Sequence, residues 1–246
     1  MKKYLIQVVI LFISTISSAQ ADSIKANDSL IIRAQIGVMG RWQLGNLKQL
    51  NIRPNGGIKI GNSAFYTEIN TTYNYLKIGE FNPVNDFWIN GLYQYKPDHR
   101  LFTVLYANNG FAKSYKIDYS SLSGVGIGVN VVNRSTVKYF QTHLIAGYLD
   151  FKFENELAHK TVGFGSVIRM SLPLTKQVYI KWELSSYHSL KDANYWGGGN
   201  VLQFDFKINK RLFANMRHQI FFNQKDKQNI EKYNSILMFG FNYKIN

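Results

Sequence analysis

The chain has no cysteine, only four prolines and, beyond its N-terminus, no long apolar run. Each absence excludes something. Without cysteine no disulfide staples the fold. Few prolines and no low-complexity tract exclude a disordered or linker-rich organisation. Without ~18 consecutive apolar residues there is no transmembrane helix. Charge is also scarce: 18% of residues are charged and 15% aromatic, where about a quarter charged is usual for a soluble domain.

What is present begins with MKKYLIQVVILFISTISSAQADS. Lys2 and Lys3 form a positive n-region, Tyr4 to Ile16 an apolar core, and Ser17, Ser18, Ala19, Gln20 and Ala21 a small-residue cleavage region. This predicts an export signal over residues 1–21, cleaved after Ala19 or Ala21, and one mature domain over 22–246. The apolar core is short of the ~20 residues of a spanning anchor. The formal charge of +14 falls to +12 once Lys2 and Lys3 are removed. A basic exported chain suits anionic partners such as lipid head groups and lipopolysaccharide phosphates, and export argues against nucleic acid.

The dominant sequence period is two. In SAFYTEINTTYNY, Phe65, Thr67, Ile69, Thr71, Tyr73 and Tyr75 form one uncharged face, opposite Tyr66, Glu68, Asn70, Thr72 and Asn74. Such alternation is the strand signal. About twelve runs show it, near 30–45, 48–60, 64–76, 86–96, 100–108, 118–132, 137–149, 161–173, 177–186, 200–208, 211–223 and 233–246. Each supplies the ~9–11 residues a tilted membrane strand needs. The second is the weakest, interrupted by Pro54, Gly56 and Gly57. Short links (GNS, PDHR, NRST, PLTK, NK) alternate with longer ones (KIGEFNPVND, NNGFAKSYKID, LDFKFENELAHK, SSYHSLKDANYWGGG, QKDKQNIEK). Outer-membrane barrels have tight periplasmic turns and long external loops, so the expected fold is all-β: an antiparallel transmembrane β-barrel of about 12 strands, both termini periplasmic. A barrel of that width with an apolar lumen would enclose a void, whereas a polar lumen holds water. Trp42, Tyr75, Trp88, Tyr95, Tyr148, Tyr179 and Trp182 are candidates for interfacial girdles. A soluble secreted β-protein is the competing architecture, with the apolar face turned inward.

The chain closes on SILMFGFNYKIN, whose alternate residues Leu237, Phe239, Phe241, Tyr243 and Ile245 form an apolar face. This resembles the C-terminal insertion signal of outer-membrane barrels, with Gly240, Tyr243 and Ile245 in the matching positions and Asn246 trailing. The barrel assembly machinery reads such a strand edge. Beyond it, NTTYNYLKIGEFNPVNDFWINGLYQYKPDHRLFTVLYANNG, SSLSGVGIGVNVV and HLIAGYLDFKFEN, spread over roughly residues 60 to 210, resemble the salt-induced outer-membrane protein family. Asn85-Asp86 opening a strand, Arg100 before the next, and the glycine pattern carry the likeness; the arginine common before that pattern is missing from YSSLSGVGIG. The resemblance implies an outer-membrane barrel and no established activity.

Chemistry is sparse. None of the five histidines (99, 143, 159, 188, 218) has a serine two residues later. His188 and Ser189, with Asp192 nearby, are the candidate set for a lipid hydrolase, the alternative to a non-enzymatic role. No clustered metal-ligand spacing occurs, the glycines at 197–199 do not open a helix, and no cofactor is expected. The polar face is the candidate site: Arg33, Arg41, Glu68, Arg169, Lys181, Glu183, Asp205, Lys207 and Arg217. A PLTK turn sets Arg169 opposite Lys181 and diagonal to Glu183, and an NK turn sets Asp205 diagonal to Arg217. The ladder is either a lumen selecting small anionic solutes or a salt-bridge network that plugs and stiffens the barrel. Gly124, Gly126 and Gly128 share that face, where they make room or bend the strand.

Overall fold

The computed structural model describes residues 29–43, 49–78, 81–113, 116–132, 138–154, 157–192, 196–223 and 233–245. The expected export signal over 1–21 lies outside them. The strands are β1 (Ile31–Gln43), β2 (Gln49–Gly61), β3 (Phe65–Ile78), β4 (Phe81–Tyr95), β5 (Leu101–Ala112), β6 (Ile117–Val132), β7 (Tyr139–Phe153), β8 (His159–Pro173), β9 (Val178–Ser189), β10 (Trp196–Lys207), β11 (Leu212–Asn223) and β12 (Tyr233–Ile245). Each pairs antiparallel with its sequence neighbours, and β1 closes on β12 from Ala34↔Ile245 to Gly40↔Phe239, giving a closed barrel. Closure leaves no strand edge unpaired, which is what allows a sheet to stand in lipid. No helix among the described residues is long and apolar enough to cross a membrane.

Side-chain polarity is inverted relative to a water-soluble barrel. Ile36, Val38, Val125, Ile127, Leu144, Val162, Phe164, Leu237, Phe239 and Phe241 are exposed on the outside. Glu68, Asp86, Gln94, Gln141, His143, Gln203, Asp205, Asn215 and Asn242 are buried inside. The apolar face therefore meets the surroundings and the polar face lines the lumen, the arrangement of a membrane barrel. The terminal strand is held by backbone pairing on both sides, with β1 and with β11. At the seam Gly240 lies against β1: a Cβ there would strike Val38 O and Met39 Cα, so the strands approach this closely only with glycine.

Four expectations are corrected. Four of the five long links are largely strand, and the fifth, QKDKQNIEK, lies outside the described residues: β7 runs on to Phe153 and β8 begins at His159, inside the expected loop LDFKFENELAHK. The outer face of this extension is polar, with Tyr119 Oη donating to Asp150 Oδ1 at 2.9 Å and Lys152 paired with Asp118 at 2.6 Å. Alternation fades from the sequence where both faces leave the apolar belt, although the ladder continues. Second, Pro54 does not break β2. It sits opposite Val38 while the β3 ladder steps from Ile52↔Tyr75 to Asn55↔Thr72, so the missing N–H costs pairing on one side only. Third, the β8–β9 turn closes one residue later than PLTK, through Leu174 N and Thr175 N donating to Val178 O. Moving a turn by one residue moves partners by two, so Arg169 faces Glu183 and Ser171 faces Lys181. Fourth, Trp88 lines the lumen and Tyr179 packs on the buried Phe213 at 6.3 Å, so neither belongs to an outer girdle. Tyr95 and Tyr148 are exposed on the outside; the side chain of Trp42 lies outside the described residues.

Candidate functional site in the barrel lumen

Side chains of β4 to β8 pack into part of the lumen. Leu92, Phe102 and Val104 form a buried cluster with Tyr66 and Tyr106 against it. Phe102 occupies the space that Gly128 vacates, since a Cβ at 128 would fall within its ring, and Ile145 fills the space beside Gly124. These glycines make room. Polar side chains tie the same sector together. Gln94 Nε2 donates to Gln141 Oε1 at 3.1 Å and lies 3.2 Å from His143 Nε2. Gln141 Nε2 donates to Asn130 Oδ1 at 2.9 Å, and Asn130 Nδ2 reaches Pro97 O and His99 O at 2.7 and 2.6 Å.

A strut then crosses the barrel. Glu68 on β3 is 4% exposed, and its carboxylate gathers four donors. Arg169 Nη2 on β8 lies 2.8 Å from Oε2 and Lys59 Nζ 3.0 Å from Oε1. Tyr66 Oη donates to Oε2 at 2.8 Å and Asn70 Nδ2 to Oε1 at 2.9 Å. Arg169 Nε also meets Glu183 Oε2 at 3.2 Å, so one guanidinium links β3, β8 and β9. A charge-assisted network of this kind holds its members far better than an exposed pair. Around the strut remains a cavity of about 350 Å³ to which all twelve strands contribute, with Gln35, Arg53, Asn90, Tyr139, Gln203 and Arg217 in its lining. A liquid water occupies ~30 Å³, so this is room for roughly ten waters.

The sequence candidates fall into place unevenly. Glu68, Arg169 and Glu183 form the strut. Lys181 and Asp205 pair at 2.6 Å, with Gln203 Nε2 donating to Asp205 at 2.6 Å. Arg217 lies opposite Gln203 and hence diagonal to Asp205, as the NK turn implies. Its Nε has no hydrogen-bond partner among the described residues. Arg33 and Lys207 are exposed at the end of the barrel where β1 begins and β10 ends. Arg41 pairs with Asn51 through the backbone, and its side chain lies outside the described residues. Lys59 and Arg53 were missed because Pro54 demoted their strand. Yet Lys59 sits directly opposite Glu68, and its alternation with Gly57 and Gly61 was readable. Lys244, over the Phe213 ring at 3.8 Å, was also missed. Among described inward-facing side chains there are eight cations (Arg33, Arg53, Lys59, Arg169, Lys181, Lys207, Arg217, Lys244) and four carboxylates (Glu68, Asp86, Glu183, Asp205).

The hydrolase set does not assemble. β9 continues to Ser189, so neighbouring side chains point to opposite faces. His188 stacks between Phe164 and Trp196 at 5.0 and 6.0 Å. Ser189 is buried, and its Oγ accepts the backbone N–H groups of Lys191 and Asp192 at 3.2 Å each. It caps a turn, away from His188.

Comparison with known proteins now has a geometry to explain. Residues 25–245 match a family described as "Protein of unknown function, DUF481". The chain belongs to that family. The match spans more of the sequence than the stretch carrying the salt-induced resemblance, and the family description mentions no response to salt. Among solved structures, the barrel is similar to the NanC porin, with TM-score 0.54 and 10% identity over 87% of this chain and 100% of that one. It is also similar to the KdgM porin (TM-score 0.46, 10% identity, 88% and 100% covered). A third is the translocator domain of autotransporter NalP from Neisseria meningitidis (0.40, 12%, 98% and 96%). At 10% identity the likeness to the NanC porin is one of fold alone. No curated protein matches the sequence significantly.

Proposed function

We propose that the lumen of this DUF481 member is a non-enzymatic outer-membrane pore. The barrel inserts after loss of residues 1–21, with both termini periplasmic, and passes small anionic solutes through the cavity of its lumen. The observation that carries the reading is the imbalance of the lumen. Among the described residues every inward carboxylate is held by a partner: Glu68 by four donors, Glu183 by Arg169, Asp205 by Lys181 and Gln203, and Asp86 by Asn74 Nδ2 at 3.5 Å. Eight cations outnumber them two to one. Arg217, beside the cavity, is in no ion pair among the described residues. A water-filled passage with walls of that sign concentrates anions.

The outer face fits lipid, the basic balance fits lipopolysaccharide phosphates, and the β12 edge with Gly240, Tyr243 and Ile245 fits recognition by the barrel assembly machinery. Nucleic acid has no place in this reading. The test is single-channel recording in planar bilayers under a salt gradient, where the reversal potential should indicate anion preference. Correctly inserted protein with no conductance would remove the pore. The strut and the filled sector favour a second reading, a closed barrel with a structural role in the envelope, and the same recording separates the two.

A further inference from the structure

The outer face carries a polar pair that neither the pore nor the envelope role uses. His218 on β11 and Ser235 on β12 both point outward, on the faces of Met216 and Ile220 and of Leu237 and Phe239. His218 Nε2 lies 2.8 Å from Ser235 Oγ, and Ser235 is exposed. With the ring proton on Nδ1, the serine hydroxyl donates to Nε2, the hydrogen bond of a nucleophile to its base. The height of the pair matters. On β12 the exposed Leu237, Phe239, Phe241, Tyr243 and Ile245 form the apolar belt, and Ser235 is the next outward position above it. From Ile245 to Ser235 is ten residues, ~33 Å along a strand and about 25 Å vertically at a ~40° tilt. That is the thickness of the apolar band of such a barrel, so Ser235 marks the edge of the belt on β12, with His218 one row below it, opposite Leu237.

Next to the pair the register row is mixed, apolar at Ile220 on β11 and Leu184 on β9 and polar at Asn200 on β10. Asn200 on β10 shares a register row with Ile220 and Ser235, and its Oδ1 accepts Trp182 Nε1 at 2.7 Å. An imidazole and a hydroxyl facing lipid contribute nothing to packing that aliphatic groups would not, and cost more to place there.

We infer that Ser235 and His218 form an acyl-ester hydrolase site on the lipid-facing surface, acting on an ester-linked acyl chain of an outer-membrane lipid. Ser235 Oγ bonds to the acyl carbonyl carbon as its proton passes to His218 Nε2. The bond from that carbon to the lipid alcohol breaks, and the alcohol leaves with the proton. Water, with His218 as base, then attacks the acyl-serine, releasing the fatty acid and restoring the hydroxyl.

The site is independent of the lumen, so conductance and hydrolysis fail separately. The experiment uses the barrel purified from membranes, with heat-dependent gel mobility confirming the fold of every variant. One arm offers vesicles of phosphatidylethanolamine and the other lipopolysaccharide, and fatty-acid release is measured. Release in the first arm identifies a glycerophospholipid ester and in the second a lipid A ester. Either should fall about 100-fold or more in Ser235→Ala and in His218→Ala, and stay unchanged in Ser189→Ala. Hexadecanesulfonyl fluoride should label the peptide containing Ser235. No release in either arm from folded wild-type protein, or release that survives both substitutions, would overturn the assignment.

Discussion

Replacing Glu68 by glutamine tests the strut. The substitution keeps the shape of the side chain and removes one charge from a residue that is 4% exposed. Lys59 at 3.0 Å and Arg169 at 2.8 Å lose their shared counter-ion. Arg169 keeps Glu183 at 3.2 Å, but that carboxylate is 43% exposed and compensates less. Breaking a buried pair by removing one partner costs about 3–5 kcal/mol. Because Lys59 lines the cavity and is 31% exposed, water solvates it in part and the lower end applies, about 3 kcal/mol. The assay is urea unfolding of the barrel in lipid vesicles, followed by tryptophan fluorescence. The double variant Glu68→Gln/Arg169→Met removes the stranded guanidinium as well, so it should recover part of the loss, with a coupling of roughly 1–3 kcal/mol. A Glu68→Gln loss under ~0.5 kcal/mol, typical of an unremarkable exposed site, would refute the claim that this carboxylate braces the lumen.

Other consequences are simpler. Arg217→Glu should move the reversal potential towards cation preference while leaving heat-dependent mobility unchanged, as read in planar bilayers. Gly240→Val should abolish the heat-resistant folded band, because its side chain would meet the β1 backbone at Val38 and Met39. Phe241→Arg, in the middle of the exposed belt on β12, should destabilise the inserted barrel by about 2–4 kcal/mol in the same urea assay. Gly128→Val should displace Phe102 from the filled sector at about 1–3 kcal/mol, the usual cost of overpacking.

The architecture was legible because one physical signal repeats twelve times: strands that separate apolar from polar at period two. Three kinds of information were not in that signal. Strand ends were hidden where Tyr119, Asp150 and Lys152 make the outer face polar and the contrast between faces disappears. Register was sensitive to a single turn residue, so the partner of Arg169 moved from Lys181 to Glu183. Contacts across the lumen depend on how the closed sheet curves and how far side chains reach, which no pairwise spacing encodes. Glu68 and Arg169 are 101 residues apart, and Gln94 and His143 are 49. The same limit explains Ser235 and His218. A search for histidine and serine two residues apart inspects one strand, whereas this pair forms across two strands from residues 17 apart.

The central claim is that the apolar face of the sheet meets lipid while the polar face surrounds the lumen. The absence of native cysteine makes it directly measurable by placing single spin-labelled cysteines along β12, one position at a time from 237 to 243, in vesicles. Oxygen, which partitions into lipid, should collide with labels at 237, 239, 241 and 243 and much less with those at 238, 240 and 242. The result should be a strict alternation of period two. Uniform accessibility, or oxygen collisions concentrated at the even positions, would contradict the account.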